Sequence, residues 1–159
     1  MSSFRAVAIP TEVADLVRST MKSPKYGFPA HREVAAGRAP CRHCLHLVRL
    51  NQEELILFTM DAFHGLPNGE TVPPSPGPVY IQAESCGRYD GDRGIPETYR
   101  GRLLTLEAFG AERKLLAEVR ASESQEEKAA EELFANQDVK YIQVRSTEAG
   151  CFLFRLERR

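Results

Sequence analysis

Residues 140–145 and 151–157 read Lys-Tyr-Ile-Gln-Val-Arg and Cys-Phe-Leu-Phe-Arg-Leu-Glu, joined by a turn that ends at Gly150. Both runs alternate. Side chains two apart in a strand share a face, so Tyr141, Gln143 and Arg145 point one way while Ile142 and Val144 point the other. The pattern predicts an antiparallel hairpin with one buried face, carrying Ile142, Val144 and Phe152 or Leu153 into the core. Working backward, residues 103–109 and 113–120 read as strands flanking a Gly110-Ala111-Glu112 turn. Residues 78–84 form another. Residues 45–50 and 54–60 read as a hairpin around the polar turn Asn51-Gln52-Glu53, and residues 4–9 and 32–36 as short strands.

Two segments carry helical spacing instead. After Pro10, Val13, Leu16, Val17 and Met21 make an apolar stripe over residues 11–22, with Arg18 and Lys22 in the last turn and Pro24 as a stop. Ser124 and Glu127 have the spacing of a capping box, opening a helix that runs to about Asn136. Ala130, Leu133 and Phe134 mark its buried side, and the acidic run 123–132 its outer face. Hairpin-length connections outnumber helical crossovers. The expected fold is therefore α+β: a single domain over residues 1–159, with two helices packed on a mainly antiparallel curved sheet.

The chain has 159 residues, 42% hydrophobic and 27% charged, which suits an ordinary globule with its own core. Its 21 basic and 22 acidic side chains leave a net charge near −1, so no global field favours nucleic acid or an anionic membrane. The expected partner is a small molecule or a protein. No apolar run is long enough to span a bilayer, and the first residues lack the apolar core of a secretion signal. A cytoplasmic location is expected, in which Cys41, Cys44, Cys86 and Cys151 stay reduced.

Cys41-Arg42-His43-Cys44 is the sharpest chemical signal. Two cysteines at this spacing aim both sulfurs at one tetrahedral ion from a tight turn. A full zinc site needs further ligands. Cys86, at the end of strand 78–84, and His31 complete the candidate set; His43, His46 and His64 are the other imidazoles. The same pair could form a dithiol redox centre, but such motifs open a helix, whereas Leu45 to Leu50 look like strand. Cys151 reads as a core thiol, and His43 and His46 as solvated imidazoles. His64 lies near Asp61, which could orient it. Arg88, Arg93, Arg100 and Arg102 are interleaved with acidic residues and read as a solvated loop. No phosphate loop or nucleophile elbow is present. The long loop 61–77 is of a length that often carries function or docks a partner.

Several motifs taken together resemble a known family. They are Tyr26-Gly27-Phe28-Pro29-Ala30-His31, Pro40-Cys41-Arg42-His43-Cys44-Leu45, Leu57-Phe58-Thr59, Gly77-Pro78-Val79-Tyr80-Ile81 with Ala83-Glu84-Ser85-Cys86, and Tyr141-Ile142-Gln143-Val144-Arg145 with Thr147-Glu148-Ala149-Gly150-Cys151. The combination is similar to the bacterial domain-of-unknown-function family 1203. The resemblance implies a small, single-domain bacterial protein and no particular reaction. It also implies that a histidine often stands where this chain has Gln82. Three functional readings follow: a cysteine/histidine patch that binds zinc, a thiol-containing small-molecule enzyme or redox protein, and a non-catalytic interaction module.

Overall fold

The computed structural model describes residues 2–66, 75–122 and 124–159. Their regular elements are β1 (Phe4–Val7), α1 (Thr11–Thr20), β2 (His31–Val34), β3 (Glu54–Asp61), β4 (Pro76–Gln82), β5 (Leu104–Phe109), β6 (Leu115–Ala121), α2 (Glu126–Ala135), β7 (Tyr141–Ser146) and β8 (Phe152–Arg158). Single 3-10 turns occupy Gly91–Arg93, Glu97–Tyr99 and Ala111–Arg113. All strand pairing among them is antiparallel, so the fold is α+β. The strands divide between two sheets, one ordered β1-β8-β7-β5-β6 and one ordered β2-β3-β4.

The β7–β8 hairpin forms as its alternation predicts, with Ile142 opposite Leu156 and Val144 opposite Phe154. A bulge between Val144 and Arg145 then shifts the register, so that Arg145 faces Phe152. Ile142 and Val144 enter the main core with Phe4, Leu106, Phe154 and Leu156, and α2 covers it with Ala130 and Phe134. The expectation of a single buried face does not hold for β7. Gln143 and Tyr141, on the opposite side, are buried too. The turn after β3 lies over them: Gln143 Nε2 donates to the Ala62 carbonyl at 3.0 Å, and Phe63 and Tyr141 flank the Phe109 ring.

α1 packs Ala14 and Val17 on the smaller sheet, against Ile56, Phe58 and Met60 of β3 and Val79 and Ile81 of β4. It ends earlier than its stripe suggested. Met21 takes a left-handed conformation and its N–H caps the Val17 carbonyl, while Leu16 remains exposed. The capping box of α2 does not form either. Ser124 adopts a positive φ of 64° and Gln125 is the residue at the cap. Glu126, expected on the outer face, is buried and accepts the Gly101 N–H at 3.3 Å.

The largest correction concerns residues 45–50. They form no strand, and the 45–50/54–60 hairpin does not exist. β3 pairs instead with β2 and β4, placing His31 opposite Leu57 and Gln82 opposite Leu55. Residues 40–47 close on themselves as a tight loop with an isolated bridge between Pro40 and Leu47. Of the long loop expected over 61–77, residues 67–74 lie outside the described residues.

Candidate metal centre

The loop over residues 40–47 is what makes Cys41-Arg42-His43-Cys44 a site. Cys41 donates its N–H to the His46 carbonyl at 2.9 Å, and Leu45 donates back to the Cys41 carbonyl at 2.8 Å. Leu45 takes a φ of 59°, a left-handed conformation that is unfavourable for leucine and is held here by complete burial of its side chain. Three flanking segments tie the loop down. Arg42 N–H bonds the Tyr80 carbonyl on β4, Ile9 N–H bonds the Arg42 carbonyl, and Tyr89 N–H bonds the His43 carbonyl.

Thus held, Cys41 and Cys44 point into the apolar layer between α1 and the smaller sheet. Cys86, four residues beyond the end of β4, reaches the same point. Its sulfur lies 3.8 Å from that of Cys41, and the three sulfurs all lie within 4.8 Å of one another. None is in a disulfide. Three sulfurs bonded to a tetrahedral zinc at about 2.3 Å would stand about 3.8 Å apart, so the cluster needs only small side-chain movements to grip such an ion.

The surrounding groups suit thiolate. Hydrogen bonds from the Cys44 and Cys86 thiols hold Cys41 well below the ordinary thiol range, against the opposing effect of burial, and the Cys44 and Gln82 N–H groups add to them. Cys44 and Cys86 are pushed up by the same sharing with Cys41. Of the three, Cys41 is the sulfur whose surroundings favour the thiolate most. A divalent cation would displace the thiol protons and make all three sulfurs thiolate. Arg18 of α1 brings positive charge to the edge: its Nη2 lies 3.3 Å from the Cys86 sulfur, and its Nε donates to the Gln82 carbonyl.

His43 is not the solvated imidazole expected from sequence. It is 1% exposed, with Nδ1 3.2 Å from the Cys86 sulfur and Nε2 3.0 Å from the Thr11 hydroxyl. With the proton on Nδ1, it donates to the sulfur and accepts from Thr11, and burial lowers its pKa and favours that neutral form. It stands behind Cys86 as a support, the arrangement that orients metal ligands in many sites. His31 is not brought to the cysteines. It lies on β2, exposed, with Nε2 3.7 Å from the Glu33 carboxylate. Cys151, read as a core thiol, is half-exposed just before β8, and its thiol lies 3.6 Å from the Ala149 carbonyl. Asp61 does not orient His64; one of its oxygens accepts the N–H groups of Phe63 and Ser75.

The fourth side of the triad is closed by Gln82. Its N–H lies 3.3 Å from the Cys41 sulfur, its Oε1 3.6 Å from that of Cys44, and its Nε2 donates to Glu53 at 3.1 Å. Gln82 and Glu53 also line an open cleft, with His46, Arg49 and Arg102 along its walls. No spacing rule pointed to Gln82, Arg18 or Thr11, because they arrive from elements remote in sequence from the cysteine pair, Gln82 from β4 and the other two from α1.

The model of the protein-of-unknown-function family DUF1203 matches residues 38–158. The chain belongs to that family. The DUF1203 match takes in Cys41, Cys44, Gln82 and Cys86, whereas His31 and α1 precede it. No match was found among curated proteins or solved structures. Among the described residues, no helix is long and apolar enough to cross a membrane.

Proposed function

We propose that this DUF1203 protein binds one zinc ion through the thiolates of Cys41, Cys44 and Cys86. Gln82 Oε1, or a water from the adjoining cleft, takes the fourth position. The convergence of three sulfurs from two segments more than forty residues apart carries this reading. Zinc fits the donor set, because soft thiolates in a tetrahedral array select it over harder cations. Three protein ligands with a weak or exchangeable fourth also describe how catalytic zinc sites are built, so the cleft beside Gln82 is where a substrate would approach. The dithiol redox reading is less well supported. The Cys41-Cys44 turn opens no helix, and both thiols are buried, Cys41 completely.

Elemental analysis of protein purified without a metal-affinity tag tests the reading. The expected result is near one zinc per chain, retained through gel filtration. Less than about a tenth of an equivalent, with no uptake on incubation with zinc under reducing conditions, overturns it.

A further inference from the structure

The Cys41–Cys44 turn has a second side. Arg42 leaves it away from the sulfurs and is 3% exposed. Its Nε donates to the Phe152 carbonyl at 2.9 Å and its Nη1 to the Pro40 carbonyl at 2.7 Å. Both acceptors are neutral. Among the described residues, no carboxylate comes within ion-pair distance of it, and Nη2 makes no hydrogen bond. Arg145 and Arg155, by contrast, are paired, with Glu107 at 2.8 Å and Glu157 at 3.0 Å. A guanidinium withdrawn from water without a counter-charge is costly, and such a group is kept where an anion completes it.

Arg42 lines a cavity of about 800 Å³, a size that holds a small organic molecule. Leu57, Leu104 and Leu153 supply apolar wall. Arg38 and Arg102 stand on the same lining and make no ion pair among the described residues. The single acidic residue on the lining is Glu148, which is exposed. Tyr99 contributes to the wall, and its buried hydroxyl has no hydrogen-bond partner.

We propose that this cavity binds a small organic carboxylate, with the carboxylate on Arg42 and the apolar body against the leucine wall. A planar guanidinium edge is matched to a carboxylate. A phosphate dianion would call for more buried donors than the single guanidinium, and the leucines would gain nothing from it. Arg38 and Arg102 give the approach a positive potential that draws anions in. The site lies outside the metal centre and stands or falls apart from it.

Calorimetric titration of the full chain with 4-phenylbutyrate, its primary amide and inorganic phosphate tests the proposal. The carboxylate is expected to bind, and the amide at least about tenfold more weakly, as expected when a charge-assisted pair is lost. Arg42→Met should lose binding by a similar factor. Because Arg42 also holds two carbonyls, Cys151→Phe provides a second variant: it fills the cavity from a half-exposed wall position and should abolish binding while the melting temperature stays near that of the parent. Equal affinity for carboxylate and amide, binding of phosphate alone, unchanged affinity in folded Cys151→Phe, or no heat on the order of 10 mM carboxylate would each overturn the proposal.

Discussion

Gly91 and Gln82 show how single positions can be decisive without belonging to any recognisable motif. Gly91 packs on β1 so closely that a Cβ there would fall 2.0 Å from the Ala6 carbonyl oxygen. Backbone is not free to yield as a side-chain tip is. Gly91→Ala should therefore destabilise by about 1–3 kcal/mol, the usual cost of overpacking. Urea titration measures it, and a loss below about 0.5 kcal/mol would show that the turn simply shifts outward. Gln82 raises a chemical question. A carboxamide oxygen is a weak ligand for zinc, whereas imidazole is a strong one. Glu53, already hydrogen-bonded to Gln82 Nε2, is placed to accept the second N–H of an imidazole in its stead. Gln82→His should raise zinc affinity by about tenfold or more, measured by competition with a chromophoric chelator. Unchanged affinity would mean that position 82 does not reach the ion.

Among the elements, α2 offers the cleanest test of packing. Phe134 is 2% exposed, stacks on Phe4 at 5.9 Å and carries the Arg158 guanidinium over its ring at 5.0 Å. Phe134→Ala should cost about 3–5 kcal/mol in a denaturant titration, and a loss under about 1 kcal/mol would contradict its burial. The elements that could be read from sequence are those whose signal is local. β7 and β8 alternate around one short turn, and α2 carries its own apolar stripe. Residues 45–50 misled for the opposite reason. Leu-His-Leu-Val-Arg-Leu looks like a strand, but Leu45 is turned left-handed and buried within a loop, and β3 finds β2 across a gap that no local pattern spans. Ser124 failed as a cap because a positive φ turns it away from the helix start. In the site, the spacing of Cys41 and Cys44 pointed correctly to paired sulfurs, and a position at the end of a strand made Cys86 a reasonable third. The burial of His43 was not legible because its partner Thr11 comes from the start of α1, 32 residues earlier.

At the scale of the molecule, the metal loop acts as a joint. It bonds Ile9 on the connection from β1, Tyr80 on β4 and Tyr89 on the segment leading to the first 3-10 turn, while Arg42 bonds Phe152 of β8. It therefore touches both sheets, and an ion that holds the loop holds the contact between them. If zinc binds the folded chain and not the unfolded one, its binding energy adds to stability. At free zinc a thousandfold above the dissociation constant, the gain is about 4 kcal/mol. For a chain of this length, each kcal/mol moves the melting temperature by roughly 2–4 °C. Stripping zinc with a strong chelator under reducing conditions should then lower the melting temperature by about 10 °C or more. Cys44→Ser, which removes one thiolate while leaving the loop's backbone bonds in place, should melt near the stripped protein and respond little to chelator. Calorimetric scans of the two proteins, each with and without chelator, decide the matter. A parent curve unmoved by chelator, in protein shown to carry zinc, would mean that the loop is held by its hydrogen bonds and by burial of Leu45 alone, and that the ion serves chemistry at the cleft rather than the joint.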